Sequence, residues 1–462
     1  MVRIFRHYLP KGLLILGLSE VLVLWGALYL GSQVHYGLYA AHAPLLVATN
    51  GRTLLFIAVM LTVMTAFGLY QRELKEGQWG YFPRLVVSLS FGFLLLCTLL
   101  PIVPSLVLPP SVLAYVILVA LCGTFATRVL YLAMASRAAV NRQILVLGTG
   151  RRARAVHALA KGAPGRPGFR LIGFVPCGDK EDLDGPLILQ AGVSLAATAR
   201  DHRVTEIVVG SRDRRHTLPI LDLLECKLSG VRVMDLTTFF ERESGRIELE
   251  SLNASWLVFA DGFQQGLVKA WVKRVFDIAA SAALLLLCLP IMALTALVIK
   301  LEDNGPVFYR QERVGSGGRI FGLLKFRSMR VNAEKDGTPQ WARQNDNRVT
   351  RVGGFIRKVR IDELPQALNV LRGDMSFVGP RPERPFFVDK LTRDIPYYSY
   401  RHTIKPGITG WAQVRYPYGA SVEDAIEKLK YDLYYVKNNS LFLDLIILFQ
   451  TLQVIIFQDG AR

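Results

Sequence analysis

The stretch from Phe355 to Arg384 reads FIRKVRIDELPQALNVLRGDMSFVGPRPER, and the rest of the chain is best read outward from it. Two adjacent carboxylates, Asp362 and Glu363, stand at its centre. Arg357, Lys358 and Arg360 precede them, and Arg372, Arg381 and Arg384 follow. A helix-favouring run from Glu363 to Leu371 makes Asp362 the expected N-cap. Pro365 then falls in the first turn, where a missing N–H costs nothing, and Gly373 marks the stop. A helix N-terminus attracts anions through its free N–H groups and its dipole. The pattern predicts a site that holds a phosphate and offers it a carboxylate nucleophile beside a metal-binding carboxylate. An isolated Asp-Glu pair is more often a cap and a solvated charge. The motifs around this one decide against that.

The chain of 462 residues is long enough for two or three domains. It is 51% hydrophobic with a mean hydropathy of +0.30, high for a soluble protein, and several apolar runs are long enough to span a bilayer. A formal net charge of +18 beside such runs favours an anionic membrane surface and phosphorylated substrates. The sequence carries no aromatic-plus-basic nucleic-acid motif. The five cysteines form no CxxC, and the seven histidines show no metal-ligand spacing. A zinc site and a disulfide framework are thereby excluded.

Four apolar segments open the chain: Leu13 to Leu30, Leu45 to Leu69, Leu85 to Leu100 and Val112 to Ala135. Arg3, Arg6 and Lys11 precede the first, Arg72, Lys75 and Arg84 separate the second from the third, and Arg137, Arg142, Arg151 and Arg152 follow the fourth. The positive-inside rule then puts both ends of this bundle in the cytoplasm. Glu20 and Arg128 each lie nine steps from the basic residue marking the cytoplasmic boundary, about 13 Å deep. A lone intramembrane charge is expensive, and equal depth predicts an ion pair between them if the two helices are neighbours; the alternative is that Arg128 snorkels to the headgroups and Glu20 is protonated or hydrogen-bonded elsewhere.

Next, Gln143-Ile-Leu-Val-Leu-Gly-Thr-Gly-Arg-Arg-Ala153 runs from an apolar strand into Gly148, Gly150 and Ala153, the GxGxxA form of a dinucleotide-binding turn. Strand and helix patterns alternate through Leu171 to Val175, Glu206 to Val209, Leu218 to Leu228 and Val231 to Leu236, which predicts a small Rossmann-like domain. No acidic residue for a ribose follows at the usual place. A nucleotide-binding turn and a docking, dimerisation or regulatory module both remain open for it. Asp182-Leu-Asp184 is a DxD in a turn-rich stretch and reads as a solvated loop.

In the third part of the chain a long apolar run leads from Trp271 to Lys300, with Pro290 in its interior. By length it spans a bilayer. It is basic at both ends, however, and a full crossing would carry Asp362 out of the cytoplasm. An interior proline also removes a helical hydrogen bond and kinks the helix. A helix that enters, bends at Pro290 and returns to the same face satisfies all three. The alternative is a spanning helix paired with a return span at Leu441 to Phe457. Asp444, Gln450 and Gln453 make that second run an interfacial helix instead.

From Val268 to Gln458 the chain resembles the bacterial sugar transferases, the polyprenyl-phosphate phosphoglycosyl transferases with a monotopic catalytic core. The resemblance rests on Asp362-Glu363-Leu364-Pro365-Gln366, Pro380-Arg381-Pro382, Asn304 to Gly315, Leu324 to Met329, Lys405 to Gln413 and Tyr431 to Tyr435. Residues Val414 to Ala420 and the terminal Gly-Ala-Arg further resemble a subgroup linked to exosortase-type exopolysaccharide systems. The resemblance implies a re-entrant helix with proline at its break. It also implies a UDP-sugar donor, with glucose or galactose expected, and undecaprenyl phosphate as acceptor. Asp362 would be the nucleophile, ionised at an ordinary pKa of about 3.9. Glu363 suits Mg²⁺, a hard ion that binds one or two carboxylates plus phosphate oxygens. Arg381 can clamp phosphate, with Lys325, Arg327 and Arg401 as further candidates.

The expected architecture is membrane α plus α/β: a four-helix transmembrane domain at 1–140, a Rossmann-like cytoplasmic domain at 141–262, and a catalytic domain at 263–462 with its re-entrant helix at 271–300. Its expected place is the bacterial inner membrane, multi-pass, with the catalytic domain in the cytoplasm. The expected partners are the UDP-sugar, undecaprenyl phosphate and membrane lipids, with a homodimer as an option and no nucleic acid. Two other functions compete. A membrane-tethered NAD-dependent epimerase or dehydratase would use Gly148 to Ala153, but the sequence lacks a Tyr-x-x-x-Lys pair beside that fold. A non-enzymatic export scaffold would have no need of the Asp362 carboxylate.

Overall fold

A computed structural model describes the chain except for residues 40–50, 71–79, 100–109, 163–167, 178–193, 211–217, 253–260, 264–265, 332–347, 418, 420 and 458–462. The Asp182–Asp184 motif lies outside the described residues. Two compact units are present: Met1–Ile4 with Tyr8–Glu243, and Phe5–His7 with Ser244–Arg462. Two short strands, β1 (Val2–Ile4) and β2 (His7–Leu9), begin the chain.

In the first unit, α1 (Lys11–Tyr39), α2 (Gly51–Ala66), α3 (Tyr81–Leu99) and α4 (Pro110–Asn141) form the apolar bundle. Leu24, Leu28, Phe56, Met60, Leu89 and Val116 fill its core. The helices α1 and α4 pack closely because glycine removes side chains at the contact. A Cβ on Gly31 would stand 2.7 Å from Val116 Cγ2. Among the described residues, four helices are long and apolar enough to cross a membrane: Lys11–Val34, Tyr81–Thr98, Val112–Met134 and Leu267–Asp303. The second predicted span differs. Its described helix ends at Ala66, where Gly68 turns to φ +80° and Leu69 N–H donates to the Met64 carbonyl in a glycine-type helix cap.

That early stop exposes the Leu69 carbonyl, and Arg128 Nη1 donates to it at 2.8 Å. Arg128 Nη2 lies 2.8 Å from Glu20 Oε1, with Glu20 fully buried and Arg128 4% exposed. The hydroxyl of Tyr70 donates to the other Glu20 oxygen. The pair predicted from equal depth is therefore present, and it has a third member.

Arg142 alone separates α4 from β3 (Gln143–Leu147). With β4 (Arg170–Val175), β5 (Glu206–Val209) and β6 (Arg232–Asp235), β3 forms a parallel sheet in the order β4-β3-β5-β6. The side-chain period of two sends Ile144 and Val146 to one face and Leu145 and Leu147 to the other. Both faces are covered by apolar side chains, as a parallel sheet requires. The helices α5 (Arg151–Gly162), α6 (Leu195–Asp201), α7 (Ile220–Leu228) and α8 (Leu236–Ser244) complete the α/β part. Gly148, at φ +114°, makes the turn from β3, and Ala153 is buried in the first turn of α5. The Rossmann-like expectation thus holds at the level of strand order and turn.

In the second unit, α9 (Leu267–Asp303) is one 37-residue helix with Pro290 inside it. The expected break does not interrupt the helical assignment, since a proline removes one N–H and leaves the neighbouring rungs in place. The hairpin β7 (Phe308–Val314) and β8 (Ile320–Phe326) follows. After it come α10 (Arg351–Lys358), α11 (Gln366–Arg372), β9 (Ser376–Val378), α12 (Pro385–Asp394), β10 (Gly407–Thr409), α13 (Trp411–Arg415), α14 (Val422–Asn438) and α15 (Leu441–Phe457). The core gathers Ile247, Leu252, Trp411, Tyr434, Tyr435, Leu443 and Ile447. Asp444 is buried on α15, whereas Leu441, Leu445, Leu452 and Ile455 of the same helix are exposed.

Candidate active site

The turn before α11 places the two carboxylates. Arg360 takes the left-handed conformation at φ +62°, unusual for a residue with a side chain. Ile361–Glu363 then form a single 3-10 turn, with Glu363 N–H donating to the Arg360 carbonyl at 3.2 Å. Asp362 is therefore not the helix N-cap expected from the sequence. The α-helix starts at Gln366, because the preceding backbone closes tighter three-residue turns, with Leu364 N–H donating to the Ile361 carbonyl at 3.2 Å and Ala367 N–H to the Leu364 carbonyl at 3.1 Å. Gly373 ends it at φ +98°, as read from the sequence.

Helix α11 is locked to the hairpin by one buried side chain. Asn369 Oδ1 accepts from Leu324 N–H at 2.9 Å, and its Nδ2 donates to the Gly322 carbonyl at 2.8 Å. Strand alternation puts Leu323 and Lys325 on one face of β8, so Lys325 is directed into the site. Its Nζ lies 3.3 Å from Glu363 Oε1. Arg381 arrives from β9, which pairs with β10 in a tight parallel step where Gly379 N–H donates to the Thr409 carbonyl at 2.8 Å. Arg381 Nη2 lies 3.0 Å from Glu363 Oε1, and Arg360 Nη1 lies 3.7 Å from it.

These charges set the protonation states. Burial pushes the Glu363 carboxyl up, but Lys325, Arg381 and Arg360 outweigh it and hold its pKa well below the usual carboxylate range. Asp362 is the opposite case. Burial raises its pKa, Glu363 adds to the rise, and Lys325, Arg357 and Arg381 offset part of it. The assumption of an ordinary Asp362 is thereby corrected. Burial likewise lowers the pKa of Lys325, with Glu363 opposing the fall.

A small open cleft lies beside this cluster, lined in part by Arg313, Leu323, Lys325, Gln366, Arg381 and Gly407. Arg313 and Gln366 are site residues whose role sequence reasoning missed. Gln366 was legible only as part of the DELPQ run, and Arg313 reaches the cleft through a cross-strand register that no local pattern reveals.

Two predicted phosphate ligands stand elsewhere. Arg327 pairs with Asp303 at the end of α9. Arg401 is buried and lies behind Arg381, donating to the Arg381 carbonyl at 2.9 Å and pairing with Asp432 at 2.8 Å. Tyr398 hydroxyl lies 2.6 Å from the same guanidinium. Arg401 supports the backbone that aims Arg381. Pro290, Gly148, Gly150 and Ala153 occupy the helix and turn already described and are not part of this cluster.

All three cations make their closest approach to Glu363 Oε1, and among the described residues no three His, Cys, Asp or Glu side chains gather to hold a metal ion.

A sequence model of the bacterial sugar transferases matches residues 268–458. Over 240 residues, 52% of this chain and 56% of the relative, the chain is 46% identical to a UDP-N-acetylgalactosamine-undecaprenyl-phosphate N-acetylgalactosaminephosphotransferase of Aeromonas hydrophila. A UDP-glucose:undecaprenyl-phosphate glucose-1-phosphate transferase of Caulobacter vibrioides is 44% identical over 191 residues, 41% of this chain and 71% of that protein. A putative undecaprenyl-phosphate N-acetylgalactosaminyl 1-phosphate transferase of Bacillus subtilis is 53% identical over 130 residues, 28% and 72% of the two chains. The chain belongs to the bacterial sugar transferase family. It matches about half the length of the Aeromonas protein, 56%, and 36% of an undecaprenyl-phosphate glucose phosphotransferase of Komagataeibacter xylinus.

Proposed function

We propose that the protein transfers a sugar 1-phosphate from a UDP-sugar to undecaprenyl phosphate through a covalent intermediate on Asp362. The observation that carries this is the pairing of unlike carboxylates. Glu363 is fixed as an anion by Lys325 and Arg381, and its neighbour Asp362 is buried and relieved of competing hydrogen bonds among the described contacts. An Asp362 oxygen attacks the phosphorus that bears the sugar, and the bond to UMP breaks. UMP leaves with the electron pair. An oxygen of undecaprenyl phosphate then attacks the same phosphorus and returns the Asp362 carboxylate. Two anions must meet in each step, so neutralisation of charge is the main task, and Lys325 and Arg381 supply it. Glu363, with Asp362 beside it, would hold Mg²⁺, which would add charge neutralisation at the phosphate oxygens.

The re-entrant reading of α9 belongs to this proposal. A straight helix would separate Arg274 from Asp303 by about 44 Å. Yet Arg274 donates to the Val370 and Leu371 carbonyls, Asp303 pairs with Arg327, and Leu324, on the strand that leads to Arg327, is bonded to Asn369 beside Val370. Leu286, Leu287 and Leu289, in the middle of α9, are exposed. Both ends held on one domain, with an apolar middle left free, support entrance and return on one face of the bacterial inner membrane. The cytoplasmic orientation follows from the basic flanks and the need for nucleotide sugar. Four transmembrane helices at 1–140 and a Rossmann-like part from 141 to 243 complete the proposed organisation, the expected end at 262 moving back because Ile247 and Leu252 lie in the core of the second unit.

The sugar is an open set with a defined chemistry. Glucose or galactose follows from the resemblance, and the names of the relatives add N-acetylgalactosamine. The exosortase-linked subgroup, suggested by Val414 to Ala420 and the terminal Gly-Ala-Arg, is the finer reading of the pathway. The test is purified full-length protein with Mg²⁺, undecaprenyl phosphate and a panel of UDP-hexoses and UDP-N-acetylhexosamines. UMP release with a phosphosugar adduct on Asp362 is the expected result, and UMP release without any adduct would remove the covalent step.

A further inference from the structure

Three polar side chains near the N-terminal end of α9 each hold a different part of the apparatus, although none touches the carboxylates. Arg274 spreads its guanidinium across two consecutive carbonyls, donating from Nη1 to Val370 at 2.6 Å and from Nη2 to Leu371 at 2.7 Å. These are carbonyls of the last turn of α11, where intrahelical acceptors run short, and Val370 otherwise receives only the cap N–H of Gly373 at 3.0 Å among the described contacts. A cation there also suits the negative end of the helix dipole. One turn along α9, Asp277 Oδ1 accepts from Ser376 Oγ and from Phe377 N–H, each at 2.9 Å. Asp277 is 3% exposed. Lys273 Nζ bonds Asp444 at 2.7 Å. The other Asp444 oxygen accepts from the Tyr435 hydroxyl at 2.6 Å, and that hydroxyl lies 3.0 Å from the Val378 carbonyl of β9.

The segment between these anchors turns back on itself. Its first arm is α11, about 10 Å long, and at the far end stand Asp362 and Glu363. Its second arm is β9, and three residues past it stands Arg381. The arms meet again where Arg381 reaches Glu363 at 3.0 Å. The segment is thus pinned to α9 at its bend and closed by an ion pair at its tips.

We propose that Arg274 and Asp277 are positioning residues of the transfer site. Through α11 and β9 they set the spacing between the Asp362 nucleophile and the Arg381 clamp, and so tie that spacing to the seat of α9 in the membrane. The role rests on the transferase reading above. Displacement of a reacting group by about 1 Å can cost on the order of 100-fold in rate. A lysine at 274 offers one point donor where the guanidinium fork serves two carbonyls. An asparagine at 277 keeps an acceptor oxygen for Ser376 and Phe377, whereas alanine keeps none.

The experiment uses full-length protein carrying Arg274→Lys, Asp277→Ala, Asp277→Asn or Ser376→Ala. Two readouts are taken: kcat and KM for UMP release, and amide hydrogen exchange of the peptides covering 361–372 and 376–381. Arg274→Lys and Asp277→Ala are expected to lower kcat by roughly 10- to 100-fold with KM for the UDP-sugar within about threefold. Exchange should rise in both arms, and Asp277→Asn should recover most of the rate. Normal kcat in Asp277→Ala and Ser376→Ala overturns the proposal. So does a loss confined to the amount of folded protein, with the surviving fraction fully active. The exchange readout needs no substrate. If wild type releases no UMP, the transferase reading falls, while loosening of both arms in the variants still supports the pivot and unchanged exchange overturns it.

Discussion

Arg381 and Glu363, eighteen residues apart in the chain, meet at 3.0 Å, and that contact joins Lys325 in holding Glu363 as an anion. Glu363→Gln removes the negative charge that Lys325 and Arg381 compensate and supplies a poorer ligand for Mg²⁺. The expected outcome is a lower rate together with a raised Mg²⁺ requirement. The measurement is a Mg²⁺ titration of UMP release, and an unchanged midpoint and rate would remove Glu363 from metal binding.

Asp362 carries a raised pKa, so its acid limb is expected above the ordinary value of about 3.9. Turnover requires the carboxylate and should rise with pH across that limb, as read from the rate of adduct formation in single-turnover experiments. The linkage sign is the reverse of a salt-bridged Asp. With the folded pKa above the unfolded one, the folded protein binds the proton more tightly. Stability at this position is then greatest below the unfolded pKa and declines as pH rises through the folded one. Asp362→Asn should therefore be inactive yet at least as stable as wild type at neutral pH. A less stable Asp362→Asn would contradict the raised pKa.

Glu20 and Arg128 are buried in the bundle and 2.8 Å apart. Removing one partner leaves the other charge unpaired, at a cost of roughly 3–5 kcal/mol. Glu20→Gln or Arg128→Leu alone should lower the amount of folded protein in membranes, and the double variant Glu20→Gln/Arg128→Leu should recover much of it. The Leu69 carbonyl and Tyr70 limit that recovery, since both lose Arg128 or Glu20 as a partner. Silent single variants would show that the pair is not structural.

A truncation at Val268 keeps every group proposed for chemistry but cuts into the core of its own unit. Ile247 and Leu252 are buried there, Ile247 N–H donates to the Lys430 carbonyl at 3.0 Å, and Trp411 Nε1 donates to the Gly245 carbonyl at 2.7 Å. Each lost apolar side chain is worth about 2–5 kcal/mol. A fragment 244–462 should therefore melt well above 268–462 and retain more activity per folded molecule. Equal melting temperatures would contradict this. The fragment 244–462 also lacks His7, whose Nδ1 lies 2.7 Å from the Tyr434 hydroxyl, so it should melt below the same unit in the full chain.

Pro290→Ala restores one backbone N–H inside α9. If α9 returns to the face it came from, straightening it should lower activity, and cysteines placed at 273 and 300 should react from one side in wild type. Labelling from opposite sides would make α9 a span.

Local chemistry made much of this protein legible without coordinates. Apolar runs of bilayer length gave the bundle, because hydrophobic length is a one-dimensional property. Alternating strand and helix patterns with Gly148 gave the parallel sheet, because backbone sterics at a left-handed turn select glycine. The DELPQ and PRP motifs gave Asp362, Glu363 and Arg381, and depth counted from the basic flanks gave the Glu20–Arg128 pair. Tertiary structure decided which cations act. Lys325, Arg327 and Arg401 are alike in sequence, yet only Lys325 reaches Glu363, since strand register, the Asn369 lock and the burial of Arg401 against Asp432 are set by partners far away in the chain. It also decided that Asp362 lies in a 3-10 turn, and that its pKa is raised while Glu363's is depressed. Desolvation and charge depend on what surrounds a group in three dimensions, and neighbours in sequence do not fix that.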